Sequence, residues 1–455
     1  MKRILIGGGQ GFWGDSPDAA IHMVRHGTLD YMACDYLAEL TLSIMQRQKQ
    51  RNPKTGYARD FVQLMEEIGQ EAWEKRIRIL TNAGGMNILG AVDALKELVQ
   101  KKGIQGYRIG YVTGDDLLDQ IPRMLSEGCT FEHMDGAADF NEIKDKLVNA
   151  NVYYGREPLM DCLSGGADVV VTGRASDSAL FLAPLAYEFG WKDGSWDDLA
   201  QGIMAGHLLE CGGQGAGGNF QYDWRSVPRM DELGFPIAEL TQDSFHITKA
   251  PDCGGLISEQ SCKEQFLYEV HDPANYITPD VVVDVSRATI TNDGPDRVRI
   301  GGIRGRERPE KLKLCLGYHA GYKVVTYLSF AWPDAYEKAQ CAADILMKKM
   351  KRKGMQYEDL RIDYLGLNAL HLNVAEVDDA LIRRMNEVVL RIAVRTKEKK
   401  DAQLLIPEIS PLQLNGPPGA SFFGGRAHVT DVIGLWPTLI PQDAVKLESH
   451  IVEVN

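Results

Sequence analysis

The chain has 455 residues, 44% hydrophobic and 25% charged, with 50 Lys and Arg against 63 Asp and Glu, a formal charge of −13. A chain this long buries a large core without staples, so disorder and fibrous repeats are excluded as its main state. The acidic balance argues against nonspecific nucleic-acid binding, which needs a basic surface, and leaves room for a local basic pocket for a small anion. At roughly 150 residues per domain, two or three domains are expected. The eight cysteines include no CxxC pair, which removes zinc ribbons and thioredoxin-type motifs. No secretory apolar region and no membrane-length apolar run is read, so a cytoplasmic protein without membrane contact is expected.

In chain order, residues 3–6 form a short apolar strand that runs into Gly7-Gly8-Gly9-Gln10-Gly11-Phe12-Trp13-Gly14-Asp15-Ser16. The same pattern recurs at 77–80 before Thr81-Asn82, at 107–112 before Thr113-Gly114-Asp115, and at 167–171 before Thr172-Gly173-Arg174. Amphipathic helical segments, such as 91–100 and 141–149, lie between them. This is the signature of an α/β fold whose N-terminal parallel sheet is wound by helices on both sides. A boundary is placed near residue 240, giving an α/β domain over 1–240 and an α+β domain over 241–455. The second domain is read as strands at 281–285, 297–303, 312–316 and 323–330, then helices at 334–351 and 380–399. A Pro- and Gly-rich structured loop is expected at 407–426.

Ligands of a wound parallel sheet bind outside the carboxyl ends of its strands. Topology alone therefore makes Asp15, Ser16, Asn82, Asp115, Arg174 and Asp177 neighbours. The first loop contains GxGxxG at Gly9, Gly11 and Gly14, with Asp35 about 20 residues on. It reads as a tight turn, as a cradle for a phosphate or carboxylate, or as a dinucleotide fingerprint. The last is discounted because Asp15 would meet the pyrophosphate with negative charge. Arg174 reads as a two-pronged anion clamp or as an ion pair with Asp177. His207, Glu210 and Cys211 share one helix face, a pattern suited to general acid–base work. No second spaced pair supports a metal there, and no metal or resident cofactor is assigned. The candidate catalytic groups are His207, Glu210, Asp15 and Asp177. The candidate binding groups are Gly9, Gly11, Ser16, Asn82, Asp115, Arg174 and Arg426.

Several longer stretches resemble the acyclic terpene utilisation (AtuA) family. They include Gln10–Ser16, Thr81–Gly85, Gly166–Arg174, Gly206–Cys211 and Tyr268-Glu269-Val270-His271-Asp272-Pro273. The resemblance covers nearly the whole chain. It implies breakdown of branched acids through acyl-CoA thioesters, with coenzyme A as a substrate moiety. It also implies a small ferredoxin-like partner subunit for a chain without that extra domain. The expected function is a lyase or hydratase step on a short or branched acyl-CoA or its free acid, by a homo-oligomer. The alternative is a non-catalytic scaffold subunit of an acyl-CoA-processing complex.

Overall fold

A computed structural model describes residues 2–136, 138–242, 244–367, 369–374 and 377–455. Two compact units are present: Met1–Gly317 with Leu435–Asn455, and Tyr318–Gly434.

In the first unit the strands include β1 (Arg3–Gln10), β2 (Tyr31–Cys34), β3 (Arg78–Thr81), β4 (Tyr107–Thr113), β5 (Leu147–Val152), β6 (Val169–Val171), β7 (Pro236–Thr241) and β8 (Phe245–Lys249). Among the described residues the main sheet has ten strands. Its order is Thr289–Asn292, Val298–Gly301, β8, β7, β1, β2, β3, β6, β4 and Glu448–Val454. The central five, β1, β2, β3, β6 and β4, are parallel. Those flanking them are antiparallel.

The core explains why the central strands are apolar throughout. Side chains of a strand alternate between faces. Ile6, Ala33, Leu80 and Val170 pack on one face with the helices Glu157–Ser164, Ala179–Phe189 and Trp196–Leu209. Met32, Ile79, Val169 and Val171 pack on the other with Asp18–His26, Arg59–Glu74 and Ile88–Lys102. Both faces are therefore dry, as a parallel sheet requires. The expected α/β sheet wound on both sides is present.

The sheet also moves the expected boundary. Residue 240 lies inside β7, which pairs with β1 on one side and β8 on the other. A division there would cut the ladder. The segment 141–149, read as helix, is short 3-10 turns leading into β5, because Val148, Ala150 and Val152 alternate into the core.

The second unit is built on antiparallel strands. Glu387–Thr396 lies between the strand Lys311–Ala331 and Asp359–Leu365. The helix Ala335–Arg352 covers one face, sharing a core with Val388, Leu390, Ile392 and Val394. The expected helix at 380–399 is thus corrected: only Asp379–Arg384 and Lys399–Gln403 are helical, around a strand. The β-branched run with a period of two dictates a strand there. Short helices, Ile406–Ile409 and Leu412–Asn415, stand where a loop was expected.

Candidate active site

Because the central strands are parallel, their carboxyl ends lie together, and buried polar groups stitch them to one another. Asn82 follows β3. Its Nδ2 donates to Asp35 Oδ1 at 2.6 Å, and its Oδ1 accepts from the Tyr36 N–H at 2.8 Å. Asp115 follows β4. Its Oδ2 accepts from the Arg174 N–H at 2.8 Å and from Asn151 Nδ2 at 3.1 Å. Asn82 and Asp115 were expected to bind substrate. Here these atoms bond to neighbouring segments of the chain, where they satisfy buried donors and acceptors.

Arg174 leaves β6 with only 2% of its side chain exposed. Its Nη1 donates to Asp177 and to the Ala175 carbonyl, so the ion-pair reading describes it. The guanidinium also lies over the Tyr153 ring, 4.0 Å from the centroid. Lys313 lies over the same ring at 4.7 Å and pairs with Glu39 at 2.9 Å.

The helix Trp196–Leu209 approaches its neighbour closely through glycine. A Cβ on Gly206 would sit 3.0 Å from Ser178 backbone atoms. That approach puts Glu210, just past the helix end, in reach of Ser178, whose hydroxyl donates to Glu210 Oε2 at 3.1 Å. His207 is fully buried, with Nδ1 3.1 Å from Glu210 Oε1. Its Nε2 has no hydrogen-bond partner in the protein, and its ring stands 5.6 Å from that of Tyr276. Burial pushes the His207 pKa down, but the bond to Glu210 and the charges of Glu210 and Glu269 outweigh it, so the net shift is upward. Burial pushes Glu210 up against the opposing pull of His207, with the charge of Asp177 adding to the rise. A buried carboxyl with a raised pKa beside a proton-holding imidazole is suited to moving protons near neutral pH.

Glu210 opens onto a cavity of about 360 Å³ that Asp177, Glu269, Tyr153 and Tyr276 also line. Lys311 and Lys313 add positive charge, and Met134, Ile277, Leu312 and Leu439 add apolar wall. Glu269 reaches it from a left-handed backbone, φ 60°, a conformation uncommon for a side chain of this kind.

The first loop goes elsewhere. Gly11, Asp15 and Ser16 line a larger cleft of about 870 Å³ with Phe12, His22 and Cys211. The Gly11 and Ser16 N–H groups donate to the Asp15 carboxylate at 3.0 and 2.8 Å. Asp15 thus fills from within the chain the role expected of a bound anion. Gly14 supplies the turn at φ 97°, and Gly11 lets the loop approach the Cys211 carbonyl carbon, 2.7 Å from where a Cβ would lie. Gly9 remains within β1, a Cβ there lying 2.6 Å from Cys34 Sγ. Arg426 belongs to the second unit and is exposed. Asp177, Glu210 and His207 are therefore brought together, while Asp15 and Ser16 line the other cleft.

Sequence reasoning missed Tyr153, Glu269, Tyr276, Lys311 and Lys313. The two lysines carried a signal, since residues two apart on a strand share a face. Glu269 and Tyr276 come from a stretch far along the chain with no periodic cue to its neighbours.

Residues 4–451 match the model of the acyclic terpene utilisation family protein AtuA. The chain belongs to this family. No curated protein and no solved structure matches it. Family membership thus joins the chain to acyclic terpene utilisation, and the cavity supplies the chemistry to be explained. Among the described residues, no helix is long and apolar enough to cross a membrane, and no three His, Cys, Asp or Glu are grouped to hold a metal ion.

Proposed function

We propose that this AtuA-family protein is a catabolic enzyme that carries out a lyase or hydratase step on a short or branched acyl-CoA thioester or its free acid. The observation that carries the reading is Glu210, backed by the buried His207 and facing a small cavity whose walls mix carboxylates with aliphatic side chains. A volume of about 360 Å³ suits a small acyl group. Met134, Ile277, Leu312 and Leu439 would take the hydrocarbon, and Lys311 and Lys313 the anionic end of the ligand.

In the eliminating direction, Glu210 takes a proton from the carbon next to the carbonyl. The bond from the neighbouring carbon to its hydroxyl oxygen breaks, and the departing hydroxide leaves with that proton as water. Hydration is the reverse. His207 holds Glu210 in place and tunes its affinity for the proton. Asp177, fixed by Arg174, faces the same space as a second acid–base group.

The test follows the conjugated enoyl absorbance of branched 2-enoyl-CoA and 3-hydroxyacyl-CoA pairs with purified protein. Turnover is expected, with Glu210→Gln slowing it by about 10²–10⁴-fold, the usual contribution of a positioned acid–base group. A Glu210→Gln variant with full activity, or wild-type protein inert toward thioesters and acids alike, would overturn the reading.

A further inference from the structure

Tyr153 has a feature that the acid–base reading does not use. The residue lines the Glu210 cavity and is 7% exposed, and its buried hydroxyl has no hydrogen-bond partner in the protein. Buried hydroxyls nearly always find one. Tyr36 and Tyr154 also carry unpartnered hydroxyls, but of the three only Tyr153 lines this cavity. Two cations, Arg174 and Lys313, lie over its ring at 4.0 and 4.7 Å. A cation over a phenol ring draws electron density from it, and so strengthens the hydroxyl as a donor and steadies negative charge growing on its acceptor.

We infer that Tyr153 is a catalytic hydrogen-bond donor to the acyl carbonyl oxygen of the ligand held in the Glu210 cavity. The inference rests on the acyl reading above and deepens it. Removal of a proton by Glu210 places negative charge on that oxygen, and a donor aimed there acts most strongly when the charge has formed. Burial pushes the phenol well above its ordinary pKa, against the pull of Arg174, so the proton to be shared stays on Tyr153 at neutral pH. The ligand class is an acyl compound with an accessible carbonyl oxygen, whether thioester or free acid.

The experiment titrates wild-type protein, Tyr153→Phe and the control Tyr154→Phe with 3-methylbutanoyl-CoA, 3-methylbutanoate and coenzyme A, by calorimetry. Tyr153→Phe is expected to bind at least one acyl probe about tenfold more weakly, as for loss of one hydrogen bond, with coenzyme A unaffected. The acyl probe that responds tells thioester from acid. Infrared spectra supply the second readout. The bound carbonyl stretch should move to lower frequency in wild-type protein and return toward its free value in Tyr153→Phe. If Tyr153→Phe does not fold, 3-fluorotyrosine at this position, a more acidic phenol, should lower the frequency further. Wild-type and Tyr153→Phe proteins that bind the acyl probes equally overturn the inference and leave the acyl reading standing. So does an equal loss for coenzyme A, or a carbonyl frequency that ignores fluorination. Wild-type protein that binds neither acyl probe overturns both.

Discussion

Glu39 and Lys313 show how the site's charges contribute to stability. Burial pushes the Glu39 carboxyl up, but the charge and hydrogen bond of Lys313 outweigh it and bring it down to about 2 from an ordinary 4.5. A carboxyl lowered on folding stabilises above its unfolded pKa and loses that stabilisation as the pH falls toward its folded one. The side chain is 33% exposed, so solvent screening trims the full linkage energy to about 1–2 kcal/mol. Glu39→Gln should cost that much in urea denaturation near neutral pH, and the gap to wild type should narrow at about pH 3.5. A gap that stays constant or widens on acidification would remove this account. At the same scale, Arg174 was legible as a charged residue at a strand end. Its partner was not, because choosing between a ligand anion and Asp177 needs the loop's path.

At the scale of elements, the helix Trp196–Leu209 positions Glu210 through one close approach. Gly206 has Ser178 Cα, Cβ and carbonyl oxygen all 3.0 Å from where its Cβ would lie. Gly206→Val should therefore push the helix from Ser178 and cost about 1–3 kcal/mol, the usual range for overpacking. It should also lower activity, through displacement of Glu210. Unchanged melting temperature and turnover would show that the close approach does not position the site. The motif Gly206–Cys211 announced a glycine-containing helix end with His207 and Glu210 on one face. Whether that face met solvent or core was hidden, since Ser178 and Tyr276, which meet Glu210 and His207 there, are brought by tertiary packing. Local patterning also failed at Glu387–Thr396, where a helical reading overlooked a period of two.

On the scale of the whole molecule, one edge of the sheet is completed by residues far away in sequence. The last strand, Glu448–Val454, pairs antiparallel with β4 from Glu448↔Thr113 to Val454↔Tyr107. Deleting residues 448–455 would leave the β4 edge unpaired, and an open edge invites association with other chains. The shortened protein should melt lower and elute partly as aggregates on size exclusion, and a monomeric product with wild-type stability would contradict this. The sequence alone determined the strand–loop–helix rhythm, the dry parallel sheet and the convergence of loops at its carboxyl ends, because apolar periodicity and chain connectivity are local properties. The tertiary structure decided which loops share a cavity. It sent Asp15 and Ser16 to the larger cleft, and it drew Tyr153, Glu269, Tyr276 and Lys313 to Glu210 from distant segments. The physical reason is that burial, pairing and orphaned hydrogen-bond groups depend on which distant side chains arrive at the same place, and no short-range pattern encodes that meeting.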